Sequence, residues 1–187
     1  MIHSVRFICV LDTNVIYPLL VRDLMFWFAF YELFTPKWSQ HIFDEWDSVM
    51  ERKGIPEEER LKRINVANRA FPDAMVNNYE QLIESLDLPD EKDRHVLAAA
   101  IKTNANIIVT ENLKDFPKDY LASFGLSAKS SDDFLTDIID LNPEKAVEAF
   151  RKLVMNRTNP DLDEFEILDR LRDLGLKDTA NYLHACL

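Results

Sequence analysis

The sequence predicts an α/β fold, a three-layer sandwich built on a small parallel sheet and followed by a C-terminal helical extension. Short β-branched and aromatic runs at residues 5–11 and 106–110 are typical of buried strands, and helical patterns lie between them. Strands that alternate with helices pair in parallel, and parallel strands are apolar on both faces. A chain of 187 residues suits one compact domain with an appended piece, which we expect at residues 1–140 and 141–187.

The individual elements follow from local residue types. The strand at 5–11 runs into Asp12, Thr13 and Asn14, which are helix-capping types. Weaker strands are predicted at residues 33–37 and 126–129, and a turn at residues 112–117. Helices are predicted at residues 14–33, 39–53, from 56 onward, 74–86 and 92–103. After a cap cluster at 130–133, further helices are predicted to about residue 140 and at residues 143–155, 161–173 and 176–186.

Composition excludes several classes of protein. The 33 acidic residues outnumber the 22 basic ones and give a net charge of −11, so the chain does not grip nucleic acid by bulk positive charge. With three glycines, it lacks the glycine-rich loops of Walker and Rossmann nucleotide sites. A hydrophobic content of 47% is enough for a packed core.

The expected location is the cytoplasm. Two cysteines, Cys9 and Cys186, make neither a disulfide framework nor a zinc pattern. The longest unbroken apolar run, at residues 24–31, is far shorter than the roughly 20 residues that cross a bilayer. The first apolar run contains Arg6 and has no cleavage site after it, so we expect no signal peptide and no membrane partner.

Three acidic residues are predicted to converge at one edge of the sheet. Asp12 ends the first strand, Asp115 follows the strand at 106–110, and Asp93 points inward from the first turn of the helix that leads into that strand. Each also has an ordinary explanation, because Asp12 can cap a helix, Asp93 can complement a helix dipole and Asp115 can belong to a turn. For Asp93 the dipole explanation is weakened, since Asp90 and Glu91 already serve it.

A fourth acidic residue, Glu45, borders the apolar stripe of the predicted helix at 39–53. It is either a functional carboxylate or a surface glutamate whose stem passes Trp46. Histidine offers no further ligand, because none of the four histidines makes a metal-ligand spacing with another, and His95 is predicted to lie on a helix surface beside Arg94. Carboxylate oxygens without histidine or thiol favour Mg²⁺ or Mn²⁺ over zinc, and such ions suit phosphoryl chemistry.

Four segments together resemble the PIN domain ribonucleases, and most closely the VapC-type toxins of bacterial toxin–antitoxin pairs. They are residues 10–14 (VLDTN), Glu45, residues 93–100 (DRHVLAAA) and residues 108–117 (IVTENLKDFP). The resemblance covers about residues 5–140. It implies a metal-dependent endoribonuclease whose catalytic acids are Asp12, Glu45, Asp93 and Asp115, and an antitoxin that blocks this site.

The residues divide into expected roles. Asp12 and Asp93 are assigned as principal metal ligands, Glu45 would orient or deprotonate water, and Asp115 would hold a second ion or fix the first through water. Many family members have an acid where this chain has Asn112, so either Asp115 completes the site or Asn112 shares that role. The residues expected to hydrogen-bond the ligands are Thr13, Asn14, Thr110 and Asn112.

Binding partners are predicted from charge and apolar surface. RNA would contact a local basic rim of Lys92, Arg94, Lys114 and Lys118, with Arg22 and Lys37 as additions, although the same residues also suit a solvated rim. A small antitoxin protein would present a basic side chain to the acids and dock a helix near Trp27, Phe28 and Tyr31, unless residues 24–31 are simply the core helix. A homodimer is left open. The alternative function is a non-catalytic interaction module whose acidic pocket binds a basic partner protein.

Overall fold

A computed structural model describes residues 7–187. Its centre is a five-stranded sheet in the order β3-β2-β1-β4-β5, in which every neighbouring pair is parallel. The strands are β1 Ile8–Leu11, β2 Thr35–Ser39, β3 Met75–Val76, β4 Ile107–Val109 and β5 Ser127–Lys129. The predicted α/β class with a parallel sheet is therefore confirmed.

The strands are shorter than their apolar runs. In the predicted strand at 5–11, residues 5 and 6 lie outside the described residues, Phe7 precedes the strand, and Cys9, Val10 and Leu11 are fully buried between β2 and β4. The predicted strand at 33–37 is shifted to Thr35–Ser39. The helix predicted at 74–86 is wrong, because Met75–Val76 pairs with β2 and only the short helix at Glu80–Ile83 follows.

Helices fill the connections between strands. Those before β4 are α1 Thr13–Ile16, α2 Leu19–Phe30, α3 Gln40–Arg52, α4 Glu57–Ala70, α5 Glu80–Ile83 and α6 Arg94–Lys102. The single helix predicted at 14–33 is wrong, because Pro18 has no N–H to continue α1 and instead stands at the start of α2. A short 3-10 helix, Glu91–Asp93, precedes α6. The predicted turn at 112–117 holds another, Leu113–Asp115, before α7 Lys118–Ala122.

Four helices form the C-terminal part of the chain. They are α8 Ser131–Leu141, α9 Pro143–Asn156, α10 Glu164–Asp173 and α11 Lys177–Cys186. Ser130, Asn142 and Asp163 cap three of them through their side chains, and Ser130 belongs to the cap cluster predicted at 130–133. The boundary between residues 140 and 141 stays a prediction.

The extension is packed onto the sheet domain. Helix α9 packs against α2, and α8 packs against α11. The carboxylate of Asp132 on α8 accepts hydrogen bonds from the backbone N–H groups of Asp178 and Thr179, at 3.1 and 2.8 Å, and so caps α11. Among residues 7–187, no helix is long and apolar enough to cross a membrane.

Parallel pairing aligns the carboxyl ends of β1 and β4. The backbone N–H of Asp12 donates to the carbonyl of Val109 at 3.1 Å, and that of Thr110 donates to the carbonyl of Lys129 at 2.9 Å. These bonds extend the strand ladder by one residue past each strand end. Asp12 and Thr110 are thereby fixed as neighbours at one edge of the sheet.

Candidate active site and metal centre

Asp12 caps a helix and also lies at the sheet edge where the acids were expected. One carboxylate oxygen caps α1 by accepting from the backbone N–H of Thr13 at 2.7 Å. The other oxygen accepts from Thr110 Oγ1 at 2.7 Å and from Asn14 Nδ2 at 2.9 Å. The side chain is buried, and burial raises its pKa although the bonds from Thr110 and Thr13 act in the opposite direction. Such a carboxylate gains from a nearby cation.

Asn14 and Thr110 hold the two strand ends together. Asn14 Nδ2 also donates to Thr110 Oγ1 at 3.1 Å, while Asn14 Oδ1 accepts from the backbone N–H of Glu111 at 3.1 Å. Thr110 Oγ1 in turn accepts from the backbone N–H of Asn112 at 3.0 Å. The structure thus brings together Asn14, Thr110 and Asn112 around Asp12.

Glu45 reaches the same edge from α3. Its Oε2 accepts from Thr13 Oγ1 at 2.6 Å, and its Oε1 lies 3.1 Å from His95 Nε2. Burial alone would raise its pKa, but the hydrogen bonds from His95 and Thr13, together with the charge effects of His95 and His41, lower it. Glu45 is therefore a half-exposed carboxylate that lines the cleft and is held by His95 and Thr13, and its functional role stays a prediction.

His95 also corrects the sequence analysis. We predicted a helix-surface histidine, yet His95 is 8% exposed and bonds Glu45. The sequence contains a signal for this, because residues 96–100 are apolar all round the helix, and a helix of that kind is buried on every side. A polar residue one position before such a run is placed next to the core.

Asp93 is the most crowded carboxylate of the site. Oxygens of Asp90, Asp93 and Asp115 all lie within 4.8 Å of one another. Burial, followed by the charges of Asp12, Asp90 and Asp115, raises the pKa of Asp93 to about 6. Asp93 and Asp115 lie together as expected, and Asp90 joins them although the sequence analysis assigned it to the helix dipole. Asp12 lies outside this group of three, but it lines the same cleft and its charge acts on Asp93.

Asn112 and Asp115 take different positions around Asp93. Asn112 Nδ2 donates to Asp93 Oδ2 at 3.1 Å, so it supports the carboxylate as a neutral donor. Asp115 ends the short 3-10 helix Leu113–Asp115, which carries its carboxylate to the Asp90 and Asp93 oxygens. Asp115 thus brings a carboxylate to Asp93, while Asn112 contributes a neutral hydrogen-bond donor.

The donor set fits a hard divalent cation. Among the described residues, the group able to hold a metal consists of carboxylates, without cysteine or histidine. Oxygen-only ligands select Mg²⁺ or Mn²⁺ rather than zinc. A cation there would offset the burial and the neighbouring negative charges that together raise the pKa of Asp93.

A cleft of about 720 Å³ opens beside these acids, lined in part by Asp12, Glu45 and Asp93. Of the predicted RNA-contacting cations, Lys92 lines this cleft and Lys114 is exposed. Arg94 is half-buried and pairs with Glu91 at 3.2 Å and with Asp87 at 3.9 Å.

The two additional cations, Arg22 and Lys37, do not line this cleft. Arg22 is buried, pairs with Asp23 at 3.3 Å and lies 5.2 Å from the ring centre of Trp46, so its expected place on the basic rim is wrong. Lys37 donates to the carbonyl of Asp73 at 2.6 Å and does not line the cleft.

The chain is similar to known proteins over both of its parts. The family model described as PIN domain matches residues 9–114, and one described as VapC50 C-terminal domain matches residues 131–185. A protein of Mycobacterium tuberculosis named "Putative ribonuclease VapC50" is 39% identical over 98 residues, which are 52% of this chain and 57% of that relative. The alignment therefore spans little more than half of either protein. No solved structure matches. Because the first model covers more than half of the chain, the protein belongs to the PIN domain family.

Proposed function

We propose that this protein is an endoribonuclease that hydrolyses RNA phosphodiester bonds with Mg²⁺ or Mn²⁺, and that it is the toxin of a toxin–antitoxin pair. The observation that carries the proposal is Asp93, whose carboxylate is crowded by Asp12, Asp90 and Asp115 at the edge of an open cleft. Membership of the PIN domain family and the printed name of the mycobacterial relative support ribonuclease chemistry. The reaction would take place in the cytoplasm, which suits two free cysteines.

The acids divide into ligands and an orienting base. Asp93 and Asp115 would hold the cation together with Asp90, whose carboxylate belongs to the same group. Asp12, which lines the same cleft, would be a further ligand from the end of β1. When bound, a divalent ion offsets charge on the phosphate and lowers the pKa of water. Glu45 would accept a hydrogen bond from the attacking water, since His95 and Thr13 fix its carboxylate. Its lowered pKa favours orienting the water over removing the proton.

The proposed inhibitor is a small antitoxin protein with a basic side chain. An arginine can pair bidentately with carboxylates that otherwise hold the metal. The predicted docking surface needs one change, because Phe28 is fully buried. The neighbouring groove between α2 and α4, with a volume of about 250 Å³, is lined by Phe26, Trp27, Phe30, Val66 and Phe71 among others and is mostly apolar. We place the antitoxin helix there.

RNA cleavage with end analysis tests the enzyme proposal. With Mn²⁺, the wild type should release products with a 5′-phosphate and a 3′-hydroxyl, because water is the nucleophile. Asp12→Asn and Asp93→Asn should both lose cleavage, whereas Asp140→Asn, an exposed acid on α8, should keep it. Cyclic-phosphate ends that form in a chelator would contradict the mechanism. A protein inert toward RNA that binds a basic partner protein would instead support the interaction module.

A further inference from the structure

The segment that follows β4, residues 110–115, supplies two of the side chains that meet Asp93. Asn112 donates to the Asp93 carboxylate at 3.1 Å, and a carboxylate oxygen of Asp115 lies within 4.8 Å of one of Asp93. The segment contains little regular structure, because it consists of an irregular link and the one-turn 3-10 helix Leu113–Asp115. Such a segment keeps a fixed position mainly through its contacts with the surrounding elements.

Glu111 holds this segment through both its backbone and its side chain. Its backbone N–H donates to Asn14 Oδ1 at 3.1 Å, and Asn14 Nδ2 donates to the carboxylate of Asp12 at 2.9 Å. The side-chain Oε1 of Glu111 accepts from the backbone N–H of Ser131 at 3.0 Å. Glu111 therefore connects Asn14, which supports Asp12, with the first residue of α8.

The first turn of α8 is a suitable anchor for this carboxylate. The first N–H groups of a helix have no partner within the helix, and the helix dipole favours a negative charge at this end. Ser130 Oγ accepts from the N–H of Asp133 at 3.1 Å, whereas Glu111 accepts from the N–H of Ser131. The cap of α8 is thus shared between an adjacent serine and a glutamate that lies 20 residues earlier in the chain.

Helix α8 is in turn held by the last helix of the chain. It packs against α11, and the carboxylate of Asp132 caps that helix. The backbone carbonyl of Asp132 also accepts from Oγ1 of the buried Thr179 at 3.3 Å. Because Asp132 directly follows Ser131, one turn of α8 joins Glu111 to α11.

We propose that Glu111 is a positioning residue through which the C-terminal helices fix the metal-binding edge of the sheet. Bound to α8, Glu111 holds the segment 110–115 beside Asp93 and keeps Asn14 in contact with that segment. The C-terminal helices are then a working part of the metal centre. This role rests on the proposed function, because only a metal-dependent reaction gives the position of the segment a consequence for activity.

Calorimetric titration of the full chain with Mn²⁺, without RNA, tests this role. Glu111→Ala removes the acceptor of the Ser131 N–H, and its Kd for Mn²⁺ should rise about tenfold, since residues that orient metal ligands typically change affinity by about 10- to 100-fold. Glu111→Gln keeps a side-chain oxygen at this place and should bind Mn²⁺ nearly as well as the wild type. Asp133→Ala is the matched control, because it removes an exposed acid that bonds Ser130 in the same turn of α8.

Asp132→Ala tests the contribution of α11. It removes the carboxylate that caps α11 and leaves Glu111 its partner on α8. Its Kd for Mn²⁺ should rise in the same direction as that of Glu111→Ala, but by a smaller factor. An unchanged Kd would mean that the coupling ends at α8, which overturns the role of the C-terminal helices.

RNA cleavage separates positioning from a loss of folding. At Mn²⁺ concentrations near the wild-type Kd, Glu111→Ala should have a lower kcat with a KM for RNA close to that of the wild type, and about tenfold more Mn²⁺ should restore kcat. In a chelator, the melting temperatures of Glu111→Ala and Asp133→Ala should be similar, because each variant loses one acid at the same helix end. A merely structural role would lower the melting temperature without changing the dependence on Mn²⁺.

The outcomes for Glu111 differ from those for the ribonuclease. An unchanged Kd in Glu111→Ala, or an equal rise in Asp133→Ala, overturns the positioning role and leaves the ribonuclease standing. The expected changes in Kd, found in a protein whose wild type cleaves no RNA, support the positioning role and overturn the ribonuclease. A wild type that binds no Mn²⁺ overturns both.

Discussion

His95 Nε2 lies 3.1 Å from Glu45 Oε1, in a bond between α6 and α3. Because an ionised Glu45 has no proton to give, the hydrogen in this bond belongs to His95. His95 Nδ1 is buried and has no partner among the described residues, which suits a ring that carries its proton on Nε2. The orientation of Glu45 therefore depends on one histidine and on Thr13.

A pair of variants tests the positioning role of His95. His95→Leu removes the donor, and we expect kcat to fall about 10- to 100-fold with KM nearly unchanged, because the water-orienting carboxylate is released. His95→Gln places an amide N–H near the position of Nε2 and should recover most of the lost kcat. Equal losses in both variants, accompanied by equal drops in melting temperature, would mean that His95 serves packing alone.

The raised pKa of Asp93 predicts a pH-dependent stability. Its folded-state pKa of about 6 lies above the ordinary value of 3.8, so the ionised form is disfavoured in the folded protein. The resulting loss of stability is complete above about pH 6 and disappears as the pH falls toward 4. In a chelator, Asp93→Asn should melt above the wild type at pH 7, and this difference should vanish on acidification.

Adding metal should reverse the order of the melting temperatures of the wild type and Asp93→Asn. A ligand at about 100 times its Kd adds about 2.7 kcal/mol to the unfolding free energy of the protein that binds it. Mn²⁺ at pH 7 should thus raise the melting temperature of the wild type more than that of Asp93→Asn. The exposed control Asp140→Asn should follow the wild type in both buffers. An equal response of wild type and Asp93→Asn to Mn²⁺ would refute the metal site.

Asn112→Asp introduces the acid that the resemblance to the family implies at this position. It replaces the hydrogen bond from Asn112 Nδ2 to Asp93 by a like charge, so we expect a lower melting temperature in a chelator at pH 7. The added carboxylate should also enlarge the gain in melting temperature on adding Mn²⁺. Asn112→Ala is the control, because it removes the hydrogen bond without adding charge. Identical Mn²⁺ responses of the two variants would show that position 112 does not face the ion.

The convergence of the acids could be predicted because it depends on topology. Parallel strands bring Asp12 and the segment after β4 to one edge, and the helix that enters β4 starts there with Asp93. The helical period also placed Glu45 at the border of the apolar stripe on α3. These inferences need only the hydrophobic periodicity and the direction of each strand, and both can be predicted from local residue types.

Other features could not be predicted because they depend on contacts between residues that are distant in the sequence. The two-residue strand Met75–Val76 is too short for any periodicity, and only its pairing with β2 defines it. Asp90 caps the 3-10 helix Glu91–Asp93 by accepting from the backbone N–H of Lys92 at 3.0 Å. This capping role already explains an acid at position 90, so the sequence gives no further sign that its carboxylate also lies beside Asp93. In the sequence, Arg22 followed by Asp23 is typical of an exposed ion pair. In the structure, Arg22 is buried and its guanidinium lies over the ring of Trp46, a contact between residues distant in sequence.

The proposed antitoxin predicts competition between a protein and a metal. If an arginine of the partner pairs with Asp93 and its neighbours, it occupies the oxygens that hold the cation, so raising Mg²⁺ should weaken inhibition. Replacing that arginine by alanine should abolish inhibition. The complex itself should persist, because the apolar groove at Trp27 and Phe30 still binds the helix.

The two contacts of the partner can be separated by measurement. Phe30 is 64% exposed, so Phe30→Ser should weaken complex formation in a titration without changing cleavage by the free protein. Leu141→Ser is the control, since Leu141 on α8 is equally exposed at 64% and lies outside the groove. Inhibition that ignores both Mg²⁺ and the partner's arginine would mean that the partner blocks RNA access from outside the acidic site.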